Sequence, residues 1–98
     1  MPTFQWLPRF DQDLRRLTKD EREEFMKAVR LFVNGLKEGR GRFHRSLRVH
    51  RLDGTNGVWS ISWGEEGRAT FHYGQPAREG EAHIVWRRVG THAIYRQP

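Results

Sequence analysis

The chain has 98 residues, no cysteine, a formal net charge of +6 and a pI near 10.7. That length holds one domain, residues 1–98, with one modest core, and the missing cysteines exclude disulfides, thiolate nucleophiles and cysteine-based zinc sites. No apolar run approaches the roughly 20 residues a membrane helix needs, so no membrane partner is expected. "MPTFQWLPRF" lacks the basic flank and apolar run of a secretory leader, and a cytoplasmic location is expected.

"TFQWL" at 3–7 reads as a short strand closed by Pro8. "PRFDQDLRRL" reads as a helix, with Pro8 in its first turn and Phe10, Leu14 and Leu17 at helical spacing. "TKDEREEFMKAVRLFVNGLKEG" is the clearest element. Thr18 and Glu21 make a capping box, acidic residues crowd the first turn, and Phe25, Val29, Phe32, Val33 and Leu36 form one apolar stripe. Gly39 reads as its stop. The two helices are expected to form a helical hairpin.

After "GRGRFHR" the period changes. "SLRVHRL" alternates, with Leu47 and Val49 opposite Arg48 and His50. "DGTNG" is turn chemistry. "VWSISW" puts Trp59, Ile61 and Trp63 on one side, and "GEEG" is a tight hairpin connection. "RATFHYG" sets Ala69, Phe71 and Tyr73 opposite Arg68, Thr70 and His72. "QPAREGE" is a looser loop, and "AHIVWRRV" is the last long strand. The expected fold is α+β: an N-terminal strand and a helical hairpin on one face of a mainly antiparallel sheet of four or five strands. The other face is then free for function, and the polar residues Arg48, His50, Arg68, Thr70 and His72 are expected to share it.

Charge is uneven. Residues 1–38 hold eight basic against seven acidic side chains, residues 39–98 ten against five, and all ten are Arg. Guanidinium groups bind phosphate in a planar, bidentate way and stack on bases, so this half suits a polyanion such as nucleic acid. A solvated surface with an Arg-rich codon bias is the simpler alternative.

The five histidines, at 44, 50, 72, 83 and 92, show no metal-ligand spacing, and no metal or other cofactor is expected. Neither a nucleophile elbow nor a phosphate-binding glycine loop is present, and Ser46, Ser60 and Ser62 read as plain strand residues. Histidines beside arginines on one polar face suit metal-free RNA cleavage. One imidazole takes the proton of a ribose 2′-OH, another protonates the departing 5′-oxygen, a guanidinium offsets phosphoryl charge, and an aromatic ring stacks on a base. The candidates are His50, His72 and His92 with Arg68 and Tyr95. Taken alone, each His is more often a surface residue than a catalyst, and Tyr95 reads as a packed aromatic at the sheet edge.

With these features in order, the whole chain resembles the RelE/ParE superfamily of bacterial type II toxins. "SLRVHRLDGTNGVWSISWGEEGRATFHYG" is similar to the superfamily's run of Leu-Arg, Leu-x-Gly, Gly-Val-Trp/Tyr and an Arg opening the next strand. "IVWRRVGTHAIY" resembles its terminal strand and G-x-H-x-x-(Phe/Tyr) end. The resemblance implies a compact α+β toxin, a cognate antitoxin as partner, and cleavage of mRNA in the ribosomal A site against 16S rRNA. It implies catalytic roles for Arg68 at the scissile phosphate, His50 as general base, and His92 and Tyr95 as the terminal His and aromatic of the YafQ-like branch. Arg48, Arg51, His72, Arg87 and Arg88 are the expected RNA contacts. Trp63 and Gly67 depart from that branch, which has a His and an Asp there, and Ala93 replaces an often acidic residue. A ParE-type DNA gyrase inhibitor and a non-catalytic nucleic-acid-binding relic are the alternatives.

Overall fold

The computed structural model describes residues 2–38 and 42–98. Strand β1 (Thr3–Trp6) leads into helix α1 (Pro8–Arg16) and helix α2 (Lys19–Glu38). A 3₁₀ turn (Arg45–Leu47) precedes β2 (His50–Arg51), β3 (Trp59–Trp63), β4 (Gly67–Tyr73) and β5 (His83–Gly90), and a second 3₁₀ turn covers His92–Arg96. The sheet has five strands in the order β1-β5-β4-β3-β2, with β1 parallel to β5 and every other pair antiparallel. The expected α+β architecture is the observed one.

Helix α2 starts where the sequence placed it. Thr18 Oγ1 accepts from the Glu21 backbone N–H at 3.1 Å, and Glu21 Oε1 accepts from the Thr18 N–H at 2.8 Å. Two orphan donors are thus satisfied reciprocally. Gly39 lies outside the described residues. Among those residues no helix is long and apolar enough to cross a membrane.

Alternation along the strands divides the sheet into two faces. Ile61, Trp63, Ala69, Phe71, Ile84 and Trp86 face the helices and meet Phe10, Phe25 and Phe32 in one core. Its rings touch in tilted and edge-on pairs, such as Phe32 on Phe71 at 4.9 Å and Phe25 on Trp86 at 5.8 Å between centroids. Trp63 belongs wholly to this core, and its indole Nε1 donates to the Arg68 carbonyl at 3.1 Å. Gly67 lies beneath the Trp63 ring, which a Cβ at that position would overlap. The Trp63 and Gly67 departures are therefore one packing solution. An Asp at 67 is incompatible with the tryptophan where it stands.

One expected strand is mostly absent. "SLRVHRL" forms a 3₁₀ turn over Arg45–Leu47, then Arg48 in the left-handed region (φ 46°), and only His50 and Arg51 pair with β3. His44 Nδ1 lies 2.7 Å from Ser46 Oγ and accepts from the Ser46 N–H at 3.2 Å. These local bonds compete with the ladder, while Leu47 is driven into the core. Arg48 and Ser46 are consequently not strand residues, and Arg48 does not belong to the polar sheet face.

A second irregularity lies in β5. Thr70 pairs with Arg88 and Phe71 with Trp86, which leaves Arg87 as an extra residue opposite that step. A bulge re-aims side chains, so two consecutive arginines that regular alternation would separate both reach partners on the outer side.

Candidate functional site

The register of β2, β3 and β4 lays out the outer face in rows. His50, Ser60 and Thr70 form the central row through the pairs His50↔Ser60 and Ser60↔Thr70. Arg68 lies beside Ser62 and Gly90 in the row towards the β3–β4 turn. Its Cα is about 7 Å from that of Thr70 at the usual rise of a strand. His72 lies in the opposite direction, on the far side of Thr70.

The C-terminal segment runs back over this face. Thr91 opens the 3₁₀ turn by accepting from the Ala93 N–H at 3.4 Å, Ile94 is 4% exposed, and its methyl packs against Gly90. Tyr95 is thereby set over the middle of the sheet, where its hydroxyl lies 2.6 Å from Ser60 Oγ. His92 meets the Tyr95 ring edge-on at 5.7 Å between centroids. A continuous chain of neighbours runs from His50 through Ser60 and Tyr95 to His92. Ser60, which the sequence offered only as a strand residue, links the two histidine-bearing segments.

The tautomer of His50 follows from its partner. His50 Nδ1 is 2.7 Å from the Arg48 carbonyl oxygen, which can only accept. Nδ1 therefore carries the proton, and in the neutral ring Nε2 holds the free lone pair. His50 and His92 are exposed, whereas Arg68 is half-buried, with Nη1 donating to the Gly67 carbonyl at 2.7 Å.

The other expected contacts are dispersed. His72 accepts from Arg87 Nη1 at 3.0 Å through Nδ1, away from His50 and His92. Burial first, then the Arg87 charge and His83, lower its pKa from the ordinary value. Arg51 follows His50 on β2, so alternation turns it to the opposite face. Arg88 donates through Nε and Nη2 to both oxygens of Asp13, at 2.6 and 3.2 Å, and through Nη1 to the Gln97 carbonyl at 3.0 Å. Asp13 also accepts from the Val89 N–H at 3.2 Å, so this buried ion pair ties α1 to β5. Among the described residues no group of three or more His, Asp or Glu side chains is arranged to hold a metal ion.

Neither a protein-family model nor a curated protein matches the sequence. Solved structures do match. YafQ from Escherichia coli BL21(DE3) superposes with a TM-score of 0.65 at 12% identity, over 97% of this chain and 98% of that one. An E. coli DinJ-YafQ complex gives 0.64 at 14% identity, over 96% and 97%. The conserved hypothetical protein HP0894 from Helicobacter pylori gives 0.59 at 13% identity, over 95% and 97%. Across nearly its whole length, this chain carries the RelE-like fold seen in the toxin YafQ.

Proposed function

We propose that the protein is the toxin of a type II toxin–antitoxin system and a ribosome-dependent mRNA endoribonuclease. The observation that carries this reading is the convergence of His50, Tyr95 and His92 around Ser60, one row from Arg68, on the sheet face opposite the helices of a YafQ-like fold.

His50 Nε2 removes the 2′-OH proton, and O2′ forms a bond to the adjacent phosphorus as the bond from phosphorus to O5′ breaks. His92 gives its proton to O5′, so the products are a 2′,3′-cyclic phosphate and a 5′-hydroxyl end. The Arg68 guanidinium offsets the negative charge on the phosphoryl oxygens. Tyr95 stacks on or orients a base. This mechanism needs one base and one acid, so a tryptophan at 63 costs it neither. Arg48, beside His50 but off the strand, and Arg51 on the edge strand contact rRNA or mRNA phosphates. Ribosomal RNA orders the substrate over an open face. A cognate antitoxin, as DinJ is found with YafQ, is the protein partner, and the cytoplasm is the place of action.

The test is to incubate purified protein with translating ribosomes, map mRNA 5′ ends, and run a DNA gyrase cleavage assay alongside. Codon-phased cuts that vanish in His92→Ala and in a chain truncated after Gly90 are expected. Intact mRNA with trapped gyrase–DNA complexes overturns the reading in favour of a gyrase inhibitor. Inactivity in both assays overturns it in favour of a relic.

A further inference from the structure

Where the C-terminal tail ends, a cavity of about 400 Å³ opens on the outer face. Leu7 and Val58 form apolar walls, and Arg9, Arg87 and Arg88 supply its charge with no Asp or Glu in the lining. The three guanidinium groups are not equivalent. Arg88 is neutralised by Asp13. Arg87 uses Nε on the Pro98 backbone oxygen and one Nη1 hydrogen on His72, both at 3.0 Å. Arg9 uses Nη2 on the side-chain oxygen of Gln97, also at 3.0 Å. Among the described residues neither Arg87 nor Arg9 pairs with an Asp or Glu side chain. The Pro98 oxygen on Arg87 Nε belongs to the carboxylate at the chain's end, and each guanidinium keeps N–H donors beyond these bonds. His72 accepts from Arg87 and holds its guanidinium in place.

We infer that Arg9 and Arg87 form a second phosphate subsite, which takes a backbone phosphate of the RNA strand beside the one at Arg68. The inference rests on the reading of this face as an RNA site. Arg87 is tied to His72, four residues along β4 from Arg68, a span of about 13 Å at the usual rise. A strand crossing the face from Arg68 reaches the cavity within a few nucleotides, and Leu7 and Val58 offer an apolar seat for sugar or base. Arg9 was not among the residues singled out in the sequence. It stands in helix α1, about 80 positions from Arg87, and only the fold brings the two together. Arg88, adjacent to Arg87 in sequence, is a structural residue instead.

The probe is a short RNA oligonucleotide with 2′-O-methyl sugars at every position, which lacks the attacking hydroxyl and binds without being cut, followed by fluorescence anisotropy over a salt series. Arg9→Gln and Arg87→Gln should each weaken binding and flatten the log K against log salt slope by about 0.7, the value for one single-strand phosphate contact. Arg30→Gln, which removes the same charge from α2 on the opposite face, should leave the slope unchanged. Thermal melts accompany each variant. If Arg87→Gln loosens the tail, Arg9→Gln decides alone. Inorganic phosphate, titrated against the arginine N–H signals in NMR spectra, separates the two sources of ligand. Shifts at Arg9 and Arg87 with inorganic phosphate but none with the oligonucleotide overturn the RNA assignment. Unchanged affinity and slope in Arg9→Gln overturn the subsite, even if codon-phased cleavage is seen. Loss of slope in both variants upholds it, even if the ribosome assay is negative.

Discussion

Tyr95 and Ser60, 35 positions apart in the chain, share a hydrogen bond of 2.6 Å between their hydroxyls, and Ser60 is fully buried beneath the ring. This bond anchors the C-terminal turn on the sheet. Ser60→Ala and Tyr95→Phe are each expected to lower stability by about 1 kcal/mol. The double variant should lose little more than either single one, because both remove the same bond. Urea unfolding of the four proteins measures the cycle. Additive losses would mean that the two hydroxyls are energetically independent.

Thr70 stands next to Ser60 in the central row, fully buried, and its hydroxyl finds no partner among the described residues. Ser60 directs its own hydroxyl to Tyr95. Thr70→Val keeps the shape and removes a dry polar group, so it should raise stability by about 1 kcal/mol. A lower urea midpoint in Thr70→Val would show that the hydroxyl is satisfied in solution.

Asp13 and Asp11 sit two residues apart on α1 and should behave differently. Asp13 is buried against Arg88 and the Val89 N–H, so Asp13→Ala leaves a buried guanidinium uncompensated and should cost about 3 kcal/mol or more. Asp11 pairs with Arg15 in solvent at 3.1 Å, and Asp11→Ala should cost under about 0.5 kcal/mol. Chemical denaturation of both variants makes the comparison, and equal losses would contradict it.

Gly67→Ala should destabilise the protein by about 1–3 kcal/mol, because the new methyl overlaps the Trp63 ring. The same change should be milder in a Trp63→Leu background, where the ring is gone, although that background is itself weakened by loss of core packing. Thermal unfolding of the two pairs reads the coupling. An equal cost in both backgrounds would rule out the steric account.

The His72 pKa is held below its ordinary 6.5 by burial, Arg87 and His83. Just below pH 6.5 the unfolded chain binds more protons at this position than the folded one. The contribution of His72 is therefore fully present above that value and falls as the pH drops through it. Protonation also ends its role as acceptor for Arg87. His72→Gln should show a shallower loss of stability on acidification, read from urea midpoints on either side of pH 6.5. An unchanged pH slope would remove His72 as its source.

Local signals fixed much of the fold. The capping box of Thr18 and Glu21, the apolar stripe of α2 and the alternation in β3 and β4 were legible because each depends on neighbours a few residues away. "SLRVHRL" misled for the same reason. Its alternation was visible, but the bonds of His44 and Ser46 and the left-handed Arg48 spent most of it on a turn. The bulge at Arg87 was hidden as well, since an extra residue shows only against a paired strand.

By itself the sequence determined that the chain is small, basic and α+β, which residues face its core, and which histidines and arginines are candidates for chemistry. Tertiary structure decided which of these meet. Composition and period specify faces, whereas convergence depends on register and on where the chain returns. Thus His50, Ser60, Tyr95 and His92 became neighbours, His72 was drawn to Arg87, Arg88 was taken by Asp13, and Arg9 was carried to the cavity at the end of the tail.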